Sequence, residues 1–390
     1  MNPQYDAIVV GGRCAGAATA MLLARGGLHV LVLDAARPGT DTLSTHALMR
    51  GGVLQLSRWG LLDAVVAADT PAIRHTEFGY GDEIETVDIR PGDGISALYA
   101  PRRTVLDPLL LDAARNAGAE VRMGTRVTRL LSDGPRVRGV VSIERGTGRP
   151  FRATATLTIG ADGRRSTLAH AVNAPVRRRG AAAGGMVYGY FPGLPRDRYR
   201  WIYRPGASAG VVPTGDGLAC VWAGTTSARF ASARAGGLHA AHRTLLADAA
   251  PELAREIGAG PPVGLLRGFP GEAGWIRGSA GPGWALVGDA GYFKDPITGH
   301  GITDALRDAE LLARAVLDAP HSPRAQLDAL RGYEQMRDKL SEPLFDITDR
   351  IASYDWDLTE LRDHLRALNR AMRPEIDALL DLDNYAAPAA

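Results

Sequence analysis

The sequence predicts an α/β fold: a Rossmann-like parallel sheet with helices, an inserted mostly β domain, and a helical C-terminal segment. Three observations carry this. A strand–turn–helix–strand unit opens the chain, strand-like runs bounded by Pro and Gly fill residues 184–224, and a helical pattern dominates from Gln326 onward. At 390 residues the chain is longer than one core usually organises, so more than one domain is expected.

The opening unit is the firmest element. Ala7-Ile8-Val9-Val10 is a short continuous apolar run, as a strand buried on both faces requires. A glycine-rich turn follows, and Ala15 to Arg25 is small and apolar with no breaker, closed by Gly26-Gly27. His29 to Leu33 supplies the second strand, completing a βαβ unit of about thirty residues. Residues 40–66 read as mostly helical with an interruption at Gly51-Gly52. Residues 74–90 read as strands, Val105 to Ala117 as helix, Glu120–Met123 as strand and 135–160 as strands. Leu238 to Ile257 is helical with a restart at Pro251. Trp284–Val287 is a buried strand that leads into the helix Ile302–Leu317, and the tail is helical with breaks expected at Pro343 and Pro374. These patterns place the nucleotide-binding domain at residues 1–73, 99–175 and 269–325. The inserted substrate domain falls at 74–98 and 176–268, and the helical segment at 326–390.

Composition narrows the function classes. A net charge of +2 gives no electrostatic footprint for nucleic acid or a polybasic membrane patch. Two cysteines, Cys14 and Cys220, cannot build a disulfide framework, and the first apolar run is too short for a signal sequence or membrane span. A cytoplasmic protein with no membrane span is expected. No Cys/His cluster has metal-site spacing, so no metal site is assigned.

Three motifs carry chemistry. In Gly11-Gly12-Arg13-Cys14-Ala15-Gly16, glycines stand where the chain leaves the strand tightly and where helix meets sheet, and the helix N-terminus aims N–H groups at a pyrophosphate. Arg13 replaces the usual middle glycine, exchanging very close backbone approach for a guanidinium contact. Asp34 ends the second strand, eighteen residues after Gly16, where an acid accepts bonds from ribose hydroxyls. The second motif, Gly160 to Ser166, puts Asp162-Gly163 at a strand end, where a carboxylate and backbone amides can approach a dinucleotide; read alone, it is better taken as a surface turn. In the third, Gly288-Asp289 directly follows the strand Trp284–Val287. The chain continues through Lys294, Asp295, Pro296 and Gly299-His300-Gly301 into a helix whose positive end suits an anionic edge of a ring. A further glycine-rich stretch, Gly258 to Gly264, follows a helix and contains two prolines, so it reads as a loop.

In this order and spacing the three motifs resemble the FAD-dependent monooxygenases of the para-hydroxybenzoate hydroxylase fold. That superfamily also includes flavin-dependent halogenases and geranylgeranyl-reductase-like proteins. The resemblance covers roughly residues 5–340. It implies that Gly11, Gly12, Arg13, Ala15 and Gly16 cradle the FAD pyrophosphate and that Asp34 holds the adenosine ribose. It implies that Arg103 contacts the phosphate or ribityl region, and that Asp289 holds the ribityl chain or pyrophosphate. Gly299, His300 and Gly301 would cradle the pyrimidine edge, with Pro296 beside the ring. Asp162 and Gly163 match the motif associated with both FAD and NAD(P)H.

Lys294 stands in the flavin loop of a chain whose only other lysine is Lys339. A compact ammonium there would tune the flavin or move a proton; the alternative is a surface lysine. His46 falls where the superfamily places residues near the ring, with a bystander beside a capping Ser44 or Thr45 as the alternative. Lys294, His46 and Pro296 are the catalytic candidates. Met186, Tyr188 and Tyr190 share one strand face by period-two geometry, as do Trp201 and Tyr203. Tyr188, Tyr190, Trp201 and Tyr203 are the candidate substrate wall, with a domain core as the alternative. The resemblance implies FAD as cofactor, NAD(P)H as reductant and a monooxygenase hydroxylating or epoxidising a small aromatic or polyketide-like molecule. A C=C reductase or a non-catalytic binding protein are the rivals. The Trp-x-Trp-x-Ile-Pro segment of halogenases is missing, and residues 60–100 hold no lysine.

Overall fold

The structure is a computed structural model that describes residues 3–319 and 322–384. Its organising element is an eight-stranded sheet built on the strand Gln4–Val10. Val30–Asp34 and Pro150–Gly160 pair with it in parallel, one on each side. Glu120–Met123 and Trp284–Leu286 extend the parallel order outward. Strands in such a sheet are covered on both faces, which explains why Val30–Asp34 is buried throughout. The helix Cys14–Arg25 packs over the sheet between the helices Arg103–Asn116 and Gly301–Leu317.

This topology decides where a ligand can bind. Val10, Asp34, Gly160 and Leu286 are the C-terminal ends of four parallel strands, so the three motifs converge at one edge. Ligands of open α/β sheets sit at that edge.

A second sheet of seven strands contains His75–Tyr80 and Glu83–Asp88 together with the strands between Gly184 and Phe269. It is antiparallel except where Arg198–Arg204 pairs with His75–Tyr80. One face packs Val187, Val211 and Val221 against Leu245 and Leu246 of the helix Leu238–Ala249. The other face presents Tyr188, Tyr190, Trp201, Tyr203 and Trp222 to the main core.

Three sequence expectations are corrected. Residues 40–49 contain no helix; they form a loop tied to the second sheet, where Ser44 N donates to the Tyr188 hydroxyl at 3.0 Å. The helix Arg50–Arg58 runs through Gly51-Gly52 without interruption. Glycine is used there for closeness: a Cβ on Gly52 would lie 2.8 Å from Thr303 Oγ1, and one on Gly51 would lie 2.5 Å from Glu375 Oε1. The prolines at 343 and 374 lie inside continuous helices, Pro323–Ala352 and Leu358–Asn384, and the break falls at 353–357. An interior proline forfeits one backbone bond, but burial of Leu340, Leu344, Phe345, Ile376 and Leu379 outweighs that loss. The restart at Pro251 is observed: one helix ends at Ala249 and the next begins at Pro251.

Candidate functional site

A cavity of about 590 Å³ opens at the C-terminal edge of the parallel sheet, between the two sheets. Residues from all three motifs line it, among them Gly11, Arg13, Ala15, Asp34, Asp162, Gly163, Asp289, Gly299 and Gly301. His46, Arg103, Tyr188, Lys294 and Pro296 complete the sequence-derived residues in its wall.

The first motif adopts the geometry its residues predict. Gly11 has φ +105°, and a Cβ there would sit 2.4 Å from Ala161 O. A Cβ on Gly16 would sit 1.9 Å from Gly11 O, so helix and strand approach as closely as only glycine allows. The helix makes its first backbone bond from Ala17 N to Arg13 O at 2.8 Å, leaving the preceding N–H groups without helical acceptors. Asp34 accepts from Gly12 N and Ala36 N, each at 2.6 Å, which fixes its carboxylate and leaves lone pairs for further hydroxyl donors.

Arg13 and Arg103 bracket one carboxylate. Arg103 Nε donates to Asp107 Oδ1 at 2.8 Å, and Cys14 Sγ reaches the same oxygen at 3.2 Å. Arg13 Nη1 is ion-paired with Asp107 Oδ2 at 3.7 Å, beyond hydrogen-bond length, and is buried with no hydrogen-bond partner. A guanidinium nitrogen with its hydrogen bond unmade, in a cavity wall beside a helix N-terminus, is the donor a phosphate needs, so the residues fit a dinucleotide here. We expect Arg13→Ala to weaken FAD binding in a salt-sensitive way, read by titration at two ionic strengths. Tighter binding by Arg13→Gly would show that the guanidinium is tolerated and unused.

The third motif forms the opposite wall. Asp289 follows its strand on a short 3-10 turn, half-buried beside Arg164, Lys294 and Arg103. Withdrawal from water pushes its carboxyl up to about 6; the three cations pull back, and Asp304 adds to the rise. Pro296 begins a 3-10 turn capped by Asp295, whose carboxylate accepts from Ile297 N at 2.9 Å and Gly184 N at 2.7 Å. Gly299 is left-handed at φ +63°. A Cβ on Gly301 would meet nothing within 4 Å, which leaves the start of the helix Gly301–Leu317 open to the cavity.

Lys294 is not a surface residue. It is 6% exposed, and its ammonium pairs with Asp304. Asp304 also accepts from Arg307 Nη1 at 3.3 Å and contacts His300 Nδ1 at 3.1 Å. Burial alone would raise its pKa, but Lys294, His300 and Arg307 together hold it well below the usual carboxylate range.

His46 is 1% exposed and adopts φ +70°, an uncommon conformation for a residue with a Cβ. Ser44 Oγ accepts from its backbone N at 3.0 Å, and its Nε2 lies 2.5 Å from the Tyr190 hydroxyl. Burial, with Arg103, Arg102 and Arg267 nearby, lowers its pKa to about 3, so the imidazole is neutral at physiological pH. Ser44 therefore serves the loop, not a helix cap.

Other sequence-derived residues fall outside the wall. Gly12, Gly16 and His300 stand behind it. Tyr190 lies behind His46 and Tyr188, Trp201 backs Gly299, and Tyr203 lies deeper in the core. Trp201 packs on Trp222 at 5.7 Å between ring centroids, and Tyr203 packs on Trp356 at 6.2 Å. Segment 353–357 therefore covers the Tyr203 end of the aromatic face assigned from sequence to a substrate wall. The Asp162 carboxylate is held in its own turn by the Ser166 hydroxyl and by Thr167 N at 2.6 Å. Wall residues not singled out from sequence include Asp304, Phe269 and Phe293. Arg164 and Asp295, quoted within the second and third motifs but given no role, also line the wall. Among these only Asp304 had a sequence signal, as an acid three residues before Arg307 on one helix.

Comparison with known proteins agrees with this geometry. The chain belongs to the FAD binding domain family, whose pattern it matches over residues 4–228. Menaquinone reductase of Mycolicibacterium smegmatis is 30% identical over 330 residues, covering 80% of this chain and 76% of the relative. The 6-methylpretetramide 4-monooxygenase of Streptomyces rimosus is 29% identical over 320 residues, covering 78% and 73%. The solved structure of the flavin-dependent brominase Bmp2 superposes with a TM-score of 0.79 at 18% identity, covering 98% of this chain and all of that one, a likeness of fold. The protein is an FAD-dependent oxidoreductase. No helix among the described residues is long and apolar enough to cross a membrane.

Proposed function

We propose that the protein is a single-component flavin monooxygenase that uses NAD(P)H and O2 to hydroxylate or epoxidise a small aromatic or polyketide-like molecule. One observation carries the reading. Where the cavity meets the second sheet its wall is Met186, Tyr188, Phe269 and Phe293, an apolar, aromatic-rich surface beside the Lys294–Pro296 loop. Such a wall favours an apolar, aromatic ligand and keeps water away.

Bound FAD supplies the electron transfer and oxygen chemistry; the protein's residues bind, orient and exclude water. Arg13, Arg103 and the N-terminus of Cys14–Arg25 hold the phosphates, Asp34 the ribose and Asp289 the ribityl hydroxyls. Gly299, Gly301 and the helix start face the pyrimidine edge, with Lys294 supplying positive charge. Neither cysteine serves as a nucleophile: both thiols are buried, which raises their pKa well above the ordinary value.

The 30% identity to a menaquinone reductase favours a second reading, NAD(P)H-driven reduction of a C=C bond in a small molecule. One experiment separates them. NAD(P)H and O2 consumption are followed with candidate aromatic, polyketide-like and prenylated compounds, and the product is weighed. Monooxygenation requires substrate-stimulated O2 uptake and a gain of one oxygen. Reduction gives a gain of two hydrogens with no O2 requirement.

A further inference from the structure

The last helix, Leu358–Asn384, lies beyond the matched FAD-binding region, yet one of its side chains enters the charge cluster behind the flavin cavity. Glu375 is 1% exposed, and its Oε2 accepts from Arg307 Nη1 at 3.0 Å. The same nitrogen donates to Asp304 Oδ1 at 3.3 Å, and Asp304 holds Lys294. Arg307 is fully buried and is fixed on its other side by Asp308 at 2.7 Å and Ser341 Oγ at 2.8 Å. Lys294 and Asp304 line the cavity; Glu375 and Arg307 do not. We propose that Glu375 is a positioning residue for the flavin site, through which the C-terminal helix sets the charge that Lys294 presents to the cofactor. This rests on the FAD reading above.

Competition for shared partners gives the effect its sign. Three carboxylates (Asp304, Asp308, Glu375) share two cations (Lys294, Arg307), with His300 Nδ1 also on Asp304. Glu375 draws Arg307 away from Asp304, and Asp304 is then left to Lys294. Without the Glu375 charge, Arg307 turns more fully to Asp304, Lys294 is less neutralised, and the field in the cavity becomes more positive. A more positive field favours the reduced, more negative flavin. His300, Asp304 and Glu375 also offer ligand atoms within 4.8 Å of one another, as a metal site would. Lys294 and Arg307 already occupy that space, and a divalent ion would meet both, so the cluster is read as an ion-pair relay.

The test is the midpoint potential of the holoprotein, measured anaerobically by dye equilibration, with FAD content and unfolding temperature recorded alongside. Glu375→Gln should shift the potential upward, the reduced flavin gaining roughly threefold or more in affinity relative to the oxidised form. Glu375→Asp, which keeps the charge, should return most of the way to the wild-type value. Ile376→Ala loosens the same helix without touching charge; it should lower the unfolding temperature and leave the potential in place. If Glu375→Gln does not fold, Gly51→Ala carries the test. Its Cβ presses on Glu375 Oε1 from the helix Arg50–Arg58 and should also raise the potential. An unshifted potential in the folded charge variant, or equal shifts in Glu375→Gln and Ile376→Ala, overturns the proposal. A wild-type protein that holds no FAD overturns the cofactor reading instead.

Discussion

Asp289→Ala is expected to purify largely colourless. The carboxylate stands at a strand end in the cavity wall with three arginine or lysine groups around it, and it is the acid proposed above to accept the ribityl hydroxyls. Losing hydrogen bonds to a charged acceptor costs about 1.5–3 kcal/mol, roughly tenfold to a hundredfold or more in affinity. The pH dependence follows from the same group. Its folded pKa is raised from the ordinary value to about 6, so in the empty protein ionisation is disfavoured, and stability from this group is lost as pH rises through that range. Hydroxyl donors stabilise the ionised form. FAD affinity should therefore be steady above about pH 7 and weaken as pH falls below about 6, and Asp289→Asn should abolish this dependence. Equilibrium titration by flavin fluorescence reads both effects. A yellow Asp289→Ala protein with unchanged affinity would refute the assignment.

Lys294→Met is expected to lower both stability and flavin potential. Removing one partner of a buried ion pair costs about 3–5 kcal/mol when the other charge is left uncompensated. Here Arg307 and His300 remain on Asp304, so the loss should fall at or below the lower end of that range. The protein should still bind FAD, because Asp289 and the phosphate contacts are untouched, but its midpoint potential should drop and turnover slow as positive charge leaves the pyrimidine side. Lys294→Arg should rescue only in part, since a planar fork cannot occupy a compact ammonium's place against Asp304. Denaturant unfolding and potentiometric titration are the measurements. Unchanged potential and turnover in Lys294→Met would remove Lys294 from the site, leaving it a structural ion-pair partner.

The parts of this site legible in the sequence are those whose chemistry is local. A glycine that must turn at φ +105°, an acid at a strand end and a glycine pair at a helix start each leave a mark within a few residues. Pairings across long separations leave none. Lys294 stood out as an unusual residue type, but its partner Asp304 and the Glu375–Arg307 contact, 68 residues apart, appear only in three dimensions. Period-two spacing placed Tyr188, Tyr190, Trp201 and Tyr203 on shared strand faces, but it carries no information on what covers each face. The cavity takes Tyr188, while the loop 353–357, with Trp356, covers Tyr203. Helix boundaries depart from the sequence expectation where tertiary contact overrides local preference: glycines at 51 and 52 are there for packing, and prolines at 343 and 374 are carried by burial.

The proposed reaction is tested most directly by isotope. Purified protein, FAD, NAD(P)H and a substrate that stimulates O2 uptake are incubated under 18O2, and the product is analysed by mass. The account predicts a product carrying one 18O atom, in an amount matching the NAD(P)H consumed. A product without 18O that has gained two hydrogens, formed equally well without O2, would contradict it.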